Sequence, residues 1–431
     1  MAADSSVRNG TADVVVVGAG PGGSAAAHWL ARAGADVVLL ERARFPRDKS
    51  CGDGITAHSV AILHDMGVRF EDFDGKGART WGGIIGAPSG GKFQADPPPH
   101  SDGARVECWV VPRMSFDERL ARAAVSAGAK LREESAFTGM ARSNGGWRVG
   151  YADGSGARAI DCKLVIGADG AHSGVAKSLG VRESAAGHLG FALRGYYDGV
   201  QGLTDNLEIW YYDRATLPGY GWIFPTGGGM ANIGIGIYTG ELRRSKKKMR
   251  ELLDEFIEQT PAIAQRCRDA RAVGRATGWP LPVSSAQRQT VFDGALLVGD
   301  AASLVDPLSG EGIWTALVSG RSAARAAMRA LASGDGSRAV LRSHEREWRA
   351  EAGGYLSSGR LLKNLAKSAR LLDLIVHRAA QNPYYASRAI GYGLGTIDRR
   401  RALRSIVLKA IFQPSFFSVR RRDAAQLAAG R

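Results

Sequence analysis

The first strongly patterned stretch of the chain is a run of small and β-branched apolar residues at 12–17, ADVVVV. Such an uninterrupted apolar run predicts a strand that is covered on both faces. The turn GAGPGG follows, then SAAAHWLARAGA with helical spacing of its apolar positions, and then a second apolar run, DVVLLE, that ends at Glu41. Strand, glycine turn, helix and strand in this order predict one βαβ unit.

Later segments alternate between helical and strand patterns. SFDERLARAAVSAGAKL predicts an amphipathic helix, and GWRVGYADGSGARAIDCKLVIGADG predicts a hairpin at Asp153-Gly154 and a buried strand ending at Gly167. Residues 189–279 contain runs typical of antiparallel strands, among them YGWIFP with Pro225 as its expected end, and a polar helix is predicted near 244–259. GALLVGDAA again predicts a buried strand, and GIWTALVSGRSAARAAMRALASG after it predicts a long helix. This order predicts one nucleotide-binding domain interrupted by a substrate domain.

Composition narrows the class of protein. Four scattered cysteines in 431 residues argue against a disulfide framework or a zinc site and are typical of a reducing cytoplasm. HEREW lacks the final histidine of a zinc-binding His-Glu-x-x-His motif, so we expect no metal. Neither a signal peptide nor a run of about 18 apolar residues is present, which predicts a soluble or peripheral protein.

The net charge of +15 is concentrated near the C-terminus. Residues 359–422 hold 14 Lys and Arg against two acids, so the rest of the chain is nearly neutral. This distribution argues against a nucleic-acid partner, which would require basic residues spread over the folded core. Leu361, Leu365, Leu372 and Ile375 recur at helical spacing among basic residues, and RRRALRSIVLKAIF repeats the mixture. Such helices bind anionic membrane surfaces, here the inner face of the cell membrane, or else pack on the protein and expose a basic face.

The turn after the first strand carries a dinucleotide fingerprint. In Gly18-x-Gly20-x-x-Gly23 the first glycine permits the turn, the second admits a pyrophosphate, and the third allows close helix–strand packing. The helix that follows directs free N–H groups at the phosphates. Glu41 lies 18 residues after Gly23, close to the spacing of about 20 expected for a ribose-binding acid.

Two later turns favour FAD over a nicotinamide dinucleotide. LVIGADGAHS and GALLVGDAASLVDPLSGEGI each place an acid, Asp169 or Asp300, on a glycine-flanked turn after a buried strand. An acid there suits the hydroxyl groups of a ribityl chain. The segment from Pro307 through Gly310 to Gly312 then starts a helix whose N-terminus points at an electron-rich group such as the reduced flavin ring.

With these motifs the chain resembles flavoproteins of the aromatic-hydroxylase fold, and within them the geranylgeranyl reductase family, over about residues 13–334. KSCGDG and YGWIFP are the marks of the reductase-like branch, and FPRDKSCGDG and PGYGWIFP are similar to its menaquinone-reducing members. The resemblance implies that Arg113 contacts FAD and that the KSCGDG loop lies beside the isoalloxazine ring. Because no second dinucleotide fingerprint is present, it implies a transient NAD(P)H, a separate reductase or a ferredoxin as electron donor.

The fold class implied is α/β (α+β). A Rossmann-like FAD-binding domain of the p-hydroxybenzoate hydroxylase type would comprise residues 11–75, 105–185 and 290–335. An inserted antiparallel substrate domain would comprise residues 76–104 and 186–289, and a basic helical region residues 336–431. The predicted cofactor-binding residues are Gly18, Gly20, Gly22, Gly23, Glu41, Arg42, Cys51, Gly52, Arg113, Asp169, Gly299, Asp300, Pro307, Gly310, Gly312 and Ile313.

The resemblance implies reduction of C=C bonds in a prenyl chain or related isoprenoid lipid. Tyr220, Trp222 and Phe224 alternate along one strand, so they face one side and either form an apolar substrate wall or fill a core. A proton must accompany the hydride from the flavin, and the candidate donors are Cys51, Asp53 or a water held by Tyr220. The predicted catalytic residues are therefore Cys51, Asp53, Tyr220 and Trp222.

Other chemistries occur on the same fold. Tyr220 and Phe224 replace two residues of the Trp-x-Trp-x-Ile-Pro signature of flavin-dependent halogenases, which argues against halogenation. A flavin monooxygenase or epoxidase acting on an apolar terpenoid or other natural product remains the alternative. For Cys51 itself, the alternatives are a reactive thiol beside Lys49 and a small residue on a crowded loop.

Overall fold

A computed structural model of the chain describes residues 9–73, 75–182, 186–285 and 288–397. The strands are β1 (Asn9–Val17), β2 (Val37–Leu40), β3 (Gly54–Ile55), β4 (Ala78–Thr80), β5 (Gly82–Gly86), β6 (Lys92–Ala95), β7 (Cys108–Val110), β8 (Lys130–Arg132), β9 (Ala136–Ser143), β10 (Gly146–Asp153), β11 (Gly156–Gly167), β12 (Leu189–Asp198), β13 (Asn206–Trp210), β14 (Tyr220–Gly227), β15 (Met230–Tyr238), β16 (Arg271–Pro282), β17 (Val291–Phe292) and β18 (Ala295–Leu297). The helices are α1 (Pro21–Arg32), α2 (Ala57–Asp65), α3 (Arg113–Ser126), α4 (Gly174–Ser178), α5 (Thr239–Ser245), α6 (Met249–Gln259), α7 (Pro261–Cys267), α8 (Ile313–Ser333), α9 (Arg338–Leu365), α10 (Ala369–Gln381) and α11 (Pro383–Gly393).

The first sheet has eight strands, and its main path runs β17-β18-β11-β1-β2-β8. From β18 to β8 the strands pair in parallel, while β10 and β9 extend it through antiparallel pairing on β11. The side chains of 14–17 in β1 are at most 3% exposed, as the apolar run predicts. Helix α8 lies so close to α1 that a Cβ added to Gly320 would lie 2.3 Å from the Gly22 carbonyl oxygen. The predicted βαβ unit and doubly covered strand are confirmed.

The second sheet has seven strands in the order β16-β12-β15-β14-β13-β5-β6. All its pairings are antiparallel except that of β5 with β13. Its strands therefore come from two separate parts of the chain, 82–95 and 189–282. Strand β4 joins β3 and β7 in a small third sheet instead. The domain limits given above remain predictions.

Three predicted element boundaries are wrong. The helix after residue 112 ends at Ser126; a turn at 127–129 follows, and β8 begins at Lys130. The helix expected at 244–259 is two helices, because Lys246 between them adopts a left-handed conformation with φ +56°. Strand β14 continues past Pro225 to Gly227. Its pairing with β13 stops at Ile223, so Pro225, which has no N–H, removes no hydrogen bond between these two strands.

The helices after α9 lie over the second sheet. Val376 of α10 and Ile390 of α11 are 2% and 3% exposed and share a core cluster with Phe93 and Leu207 of the sheet. The predicted apolar face is divided between α9 and α10, and of its four residues only Leu372 is buried, whereas Leu361, Leu365 and Ile375 are exposed. RRRALRSIVLKAIF lies outside the described residues. None of the helices that the structure describes combines the length and apolar character needed to cross a bilayer.

Candidate active site

A cavity of about 1320 Å³ lies where the two sheets meet. One arm runs along the glycine turn after β1 and the turns after β11 and β18. The other arm passes between the second sheet and helices α10 and α11 and is lined mostly by apolar side chains, among them Ile84, Phe93, Leu207, Leu372 and Ile390. The first arm is lined by glycine turns and charged side chains, and the second mostly by apolar side chains.

The glycine turn is shaped by steric limits. Gly18 has φ +98°, and a Cβ on it would lie 2.5 Å from the Ala168 carbonyl oxygen. A Cβ on Gly23 would lie only 1.8 Å from the Gly18 carbonyl oxygen, whereas one on Gly20 would meet no atom within 4 Å. Gly20 thus borders the open cavity directly before the N-terminus of α1, which is the environment that a pyrophosphate requires. These residues fit FAD.

Glu41, directly after β2, stabilises this turn through hydrogen bonds. Its Oε2 accepts hydrogen bonds from the Ala19 N–H and the Arg47 guanidinium, both at 3.1 Å, and its Oε1 accepts from the Ala43 N–H. Its side chain lines the cavity but is mostly buried. Besides any ribose contact, this carboxylate therefore holds the loop on which the phosphates would lie.

The two predicted flavin-side acids also border the cavity. Asp169 caps the start of α4 by accepting hydrogen bonds from Ser173 Oγ and the Val175 N–H, and burial raises its pKa above the usual value. Asp300 lies 3.8 Å from the Lys49 ammonium nitrogen. Burial lowers the pKa of Lys49, and the attraction to Asp300 opposes this. The polar arm thus presents acceptors for hydroxyl groups together with a partly buried cation.

Most of the predicted site residues line this single cavity. Those that do so are Gly18, Gly20, Gly22, Glu41, Arg42, Cys51, Gly52, Arg113, Asp169, Tyr220, Trp222, Gly299, Asp300, Gly310, Gly312 and Ile313. Gly23, Asp53 and Pro307 do not line it. Gly23 faces the back of its own turn, and Pro307 faces α9, where a Cβ on Gly359 would lie 3.3 Å from its ring. The positions of Gly23 and Pro307 therefore do not support direct contacts to FAD, and that of Asp53 does not support a catalytic contact with substrate.

Cys51 lies beside two cations. Its side chain is partly buried and lines the cavity, and the guanidinium of Arg113 hydrogen-bonds to its sulfur. Arg113 is itself held by Asp117, at 2.6 Å and 2.7 Å from its Nε and Nη2. Burial would lower the pKa of Arg113, but Asp117 and the Cys51 sulfur raise it above the usual value. The thiol thus lies against the buried Arg113–Asp117 ion pair and within electrostatic reach of Lys49.

The aromatic stripe of β14 forms a wall of the apolar arm. Tyr220, Trp222 and Phe224 all line the cavity, with neighbouring ring centroids 6.3 Å apart. The Tyr220 hydroxyl donates to the Ser309 carbonyl. Gly52 packs against this wall, since a Cβ on it would lie 3.2 Å from the Phe224 ring. The stripe is therefore a cavity surface beside the Cys51 loop.

Asp53 lies behind the Cys51 loop. It adopts a left-handed conformation with φ +64°, and its side chain is 0% exposed. Its Oδ2 accepts hydrogen bonds from the Tyr196 hydroxyl at 2.6 Å and the Asn232 amide at 2.8 Å. Burial raises its pKa to about 6, although these two hydrogen bonds oppose the shift. Its position supports a structural role for this carboxyl better than a proton donor to substrate.

We expect the raised pKa of Asp53 to make the protein less stable as pH rises. The folded state binds this proton more tightly than the unfolded state, so stability falls between about pH 4 and pH 6, by up to about 3 kcal/mol. Asp53→Asn should remove this dependence, and asparagine tolerates the positive φ. Urea unfolding at several pH values measures it. An unchanged pH dependence in the variant would show that Asp53 titrates normally.

Sequence reasoning missed several residues of the site. Glu311 and Trp279 line the cavity although neither was a predicted site residue, and Trp279 stacks edge-on with His172 at 5.6 Å. Lys49, which the sequence suggested only as a neighbour of the Cys51 thiol, lines the cavity as well. The Glu311 carboxylate accepts a hydrogen bond from Tyr355, 44 residues further along the chain. Because Glu311 lies within the segment from Pro307 to Gly312, which was already assigned to the flavin site, the sequence could have predicted its place in the cavity. Across the described segments no cluster of three or more metal-ligating side chains occurs.

Comparison with known proteins identifies the group to which this site belongs. Residues 11–356 match the family of FAD-binding domains. The chain is 37% identical to a menaquinone reductase of Mycobacterium tuberculosis over 73% of its length and 76% of that protein. It is 32% identical to a digeranylgeranylglycerophospholipid reductase of Methanocaldococcus jannaschii, over 93% of its length and 96% of that protein.

A solved structure extends the likeness to three dimensions. The crystal structure of a geranylgeranyl bacteriochlorophyll reductase-like protein from Thermoplasma acidophilum superimposes with a TM-score of 0.79 at 27% identity, covering 90% of this chain and 96% of that one. The likeness therefore covers the sequence and the fold over most of the chain. The chain belongs to the geranylgeranyl reductase family of FAD-dependent oxidoreductases, within the FAD-binding domain family.

Proposed function

We propose that this enzyme reduces C=C bonds in the prenyl chain of an isoprenoid lipid. The observation that carries the proposal is the apolar arm of the cavity, which ends at the Cys51 loop and the polar arm. An extended hydrocarbon chain along this arm would bury its surface against Ile84, Phe93 and Leu372, with no directional contacts required. The relatives named as prenyl-lipid and menaquinone reductases support it.

The residues around the arm suit the transfer of two hydrogens to an alkene. Bound FAD, held by the glycine turn and the acidic turns, supplies the hydride. Cys51 donates the proton to the other carbon as the π bond breaks, and its thiolate is stabilised by Arg113 and Lys49 until solvent returns the proton. The Tyr220 hydroxyl is committed to the Ser309 carbonyl, so it acts by fixing the wall. Trp222 and Phe224 exclude water from the reacting bond.

An anaerobic assay tests the proposal. The flavin is reduced chemically, and then a geranylgeranyl lipid or a prenylated quinone is added. We expect reoxidation of the flavin and a lipid product heavier by two hydrogens. If turnover instead requires oxygen and the product gains an oxygen atom, the enzyme is a monooxygenase or epoxidase, and the reductase assignment is wrong.

We propose further that the electrons come from NAD(P)H during a brief visit or from a separate reductase or ferredoxin. The single dinucleotide fingerprint, Gly18-x-Gly20-x-x-Gly23, supports a donor that is not stably bound. Bleaching of the flavin absorbance by NADPH alone would indicate the nicotinamide. Bleaching only with a reductase or ferredoxin would indicate the protein donor.

We also propose that the enzyme takes its substrate from an anionic membrane surface. Of seven large apolar side chains exposed in the described part of the chain, four lie on α9, α10 and α11: Leu361, Leu365, Ile375 and Tyr384. Three of these four, all but Leu361, also line the cavity, so its margin is apolar and exposed. Lys363, Lys367 and Arg370 lie in the same region and would face lipid phosphates.

The double variant Leu361→Glu/Ile375→Glu should bind vesicles at least about tenfold more weakly than wild type, since burying one such side chain contributes about 1.5–3 kcal/mol. Co-sedimentation with phosphatidylglycerol vesicles at low and high salt measures this. Val273→Glu, at another exposed apolar position (47% exposed), is the matched control and should bind normally. Equal binding by all three proteins would locate the membrane contact elsewhere.

A further inference from the structure

The side chain of Asn232 joins the substrate wall to the Cys51 loop. It lies on β15, is 0% exposed and does not line the cavity. Its Oδ1 accepts a hydrogen bond from Trp222 Nε1 at 2.9 Å. Its Nδ2 donates to the Cys51 carbonyl oxygen and to Asp53 Oδ2, both at 2.8 Å. The indole N–H can only donate and the carbonyl can only accept, so the partners fix the orientation of this amide.

Two residues of β12 hold the same loop. Arg194 Nε donates to the Cys51 carbonyl at 3.3 Å, and the Tyr196 hydroxyl donates to Asp53 at 2.6 Å. The backbone carbonyl of Cys51 and the side chain two residues later are thus both bonded to the second sheet. The Cys51 side chain is left facing the cavity, against Arg113.

The loop has little freedom to move against the wall. A Cβ on Gly52 would lie 3.3 Å from Trp222 Nε1 and 3.2 Å from Phe224, so loop and wall are already in close contact. The same indole N–H is the group that Asn232 holds. One buried amide therefore fixes both the aromatic surface that faces the substrate and the loop that carries the thiol.

We propose that Asn232 is a positioning residue, which sets the location of the Cys51 thiol relative to Trp222 and hence to the reacting double bond. The inference rests on the proposed function, in which Cys51 donates the proton. Proton transfer requires hydrogen-bonding distance between donor and acceptor, and small misplacements of a reacting group reduce rates strongly. The amide acts through Cys51 and Trp222 and needs no contact with substrate.

The test compares Asn232→Leu, which is similar in size but forms no hydrogen bonds, with wild type and with Ile233→Val. Ile233 is also 0% exposed on β15 but packs in the core on the other face, so it controls for a simple loss of packing. For Asn232→Leu with FAD bound, we expect about 10- to 100-fold slower reoxidation of reduced flavin by a prenyl substrate. Substrate affinity should change little, and Ile233→Val should behave as wild type.

A second readout does not depend on the reaction. The other three cysteines are buried, so iodoacetamide modification of the FAD-bound protein, located by mass spectrometry, reports on Cys51. Asn232→Leu should alter both the rate and the pH profile of this alkylation. Wild-type rates and profiles in both readouts would overturn the inference.

Two further outcomes are separable. If wild type reduces no prenyl substrate but Asn232→Leu still alters the alkylation profile, the proposed function fails while the positioning role of Asn232 stands. If Asn232→Leu loses FAD or does not fold, Tyr196→Phe removes one hydrogen bond of the same network. That variant should also alter the rate and the pH profile of Cys51 alkylation, and a wild-type rate and profile would count against the proposal.

Discussion

Gly23→Ala is expected to yield protein that purifies with little or no FAD. The added methyl group would lie 1.8 Å from the Gly18 carbonyl oxygen and 3.0 Å from the Ala168 Cβ. These are backbone and short side-chain atoms that cannot swing aside, so α1 must move away from the turn. Overpacking of this kind costs about 1–3 kcal/mol, which corresponds to roughly 5- to 150-fold weaker binding if all of it falls on the FAD-bound state.

The ratio of flavin to protein absorbance and the dissociation constant for added FAD measure the effect. Gly240→Ala is the matched control, because a Cβ there, in α5 far from the cavity, meets no atom within 4 Å. It should retain FAD as wild type does. A fully yellow Gly23→Ala protein would mean that the helix can shift without disturbing the phosphate site.

Cys51→Ala and Cys51→Ser are expected to retain FAD and to lose most of the alkene-reducing activity. The thiol is the one cysteine side chain that lines the cavity, and in the proposed reaction it gives its proton to the alkene. A positioned general acid typically contributes a factor of about 10²–10⁴ in rate. Serine keeps the size but is a much weaker acid, so both variants should be slow.

Anaerobic single-turnover reoxidation of the reduced flavin by a prenyl substrate measures this step. Cys267→Ser, a buried cysteine in α7, controls for the general effect of replacing a thiol. If both Cys51 variants turn over at the wild-type rate, the residue only fills space on the loop, and the proton comes from another group.

Local patterns predicted the parts of the site that lie within one continuous segment. The glycine turn, the acids at 169 and 300, and the one-sided stripe from Tyr220 to Phe224 each follow from spacing along a single strand or turn. Asp53 shows the limit of that reasoning. It follows Cys51 in the KSCGDG loop and was a candidate proton donor. Its positive φ, which the sequence does not reveal for a non-glycine residue, places the carboxyl on the other side of the loop.

Other parts of the site depend on contacts between distant segments. The Asn232 amide meets the Cys51 carbonyl across 181 residues of chain, and no periodicity in either segment indicates this meeting. The helices at 369–393 show an amphipathic pattern that suits a membrane surface and a protein surface equally well. In the structure the apolar faces of these helices pack on Phe93 and Leu207 of the second sheet. This contact depends on the apolar surface of a distant segment, which the sequence of the helices does not reveal.

The order of strands in the first sheet has a consequence for biosynthesis. Strand β18 (Ala295–Leu297) pairs with β11, which pairs with β1 at the start of the chain. The central sheet is therefore incomplete until about 300 residues have left the ribosome, and the pairing of β11 with β18 joins Val165 to Ala295, 130 residues apart. Such high contact order slows folding. Gly299, Asp300 and Ile313 line the cavity and follow strand β18, so the complete FAD site forms late in synthesis.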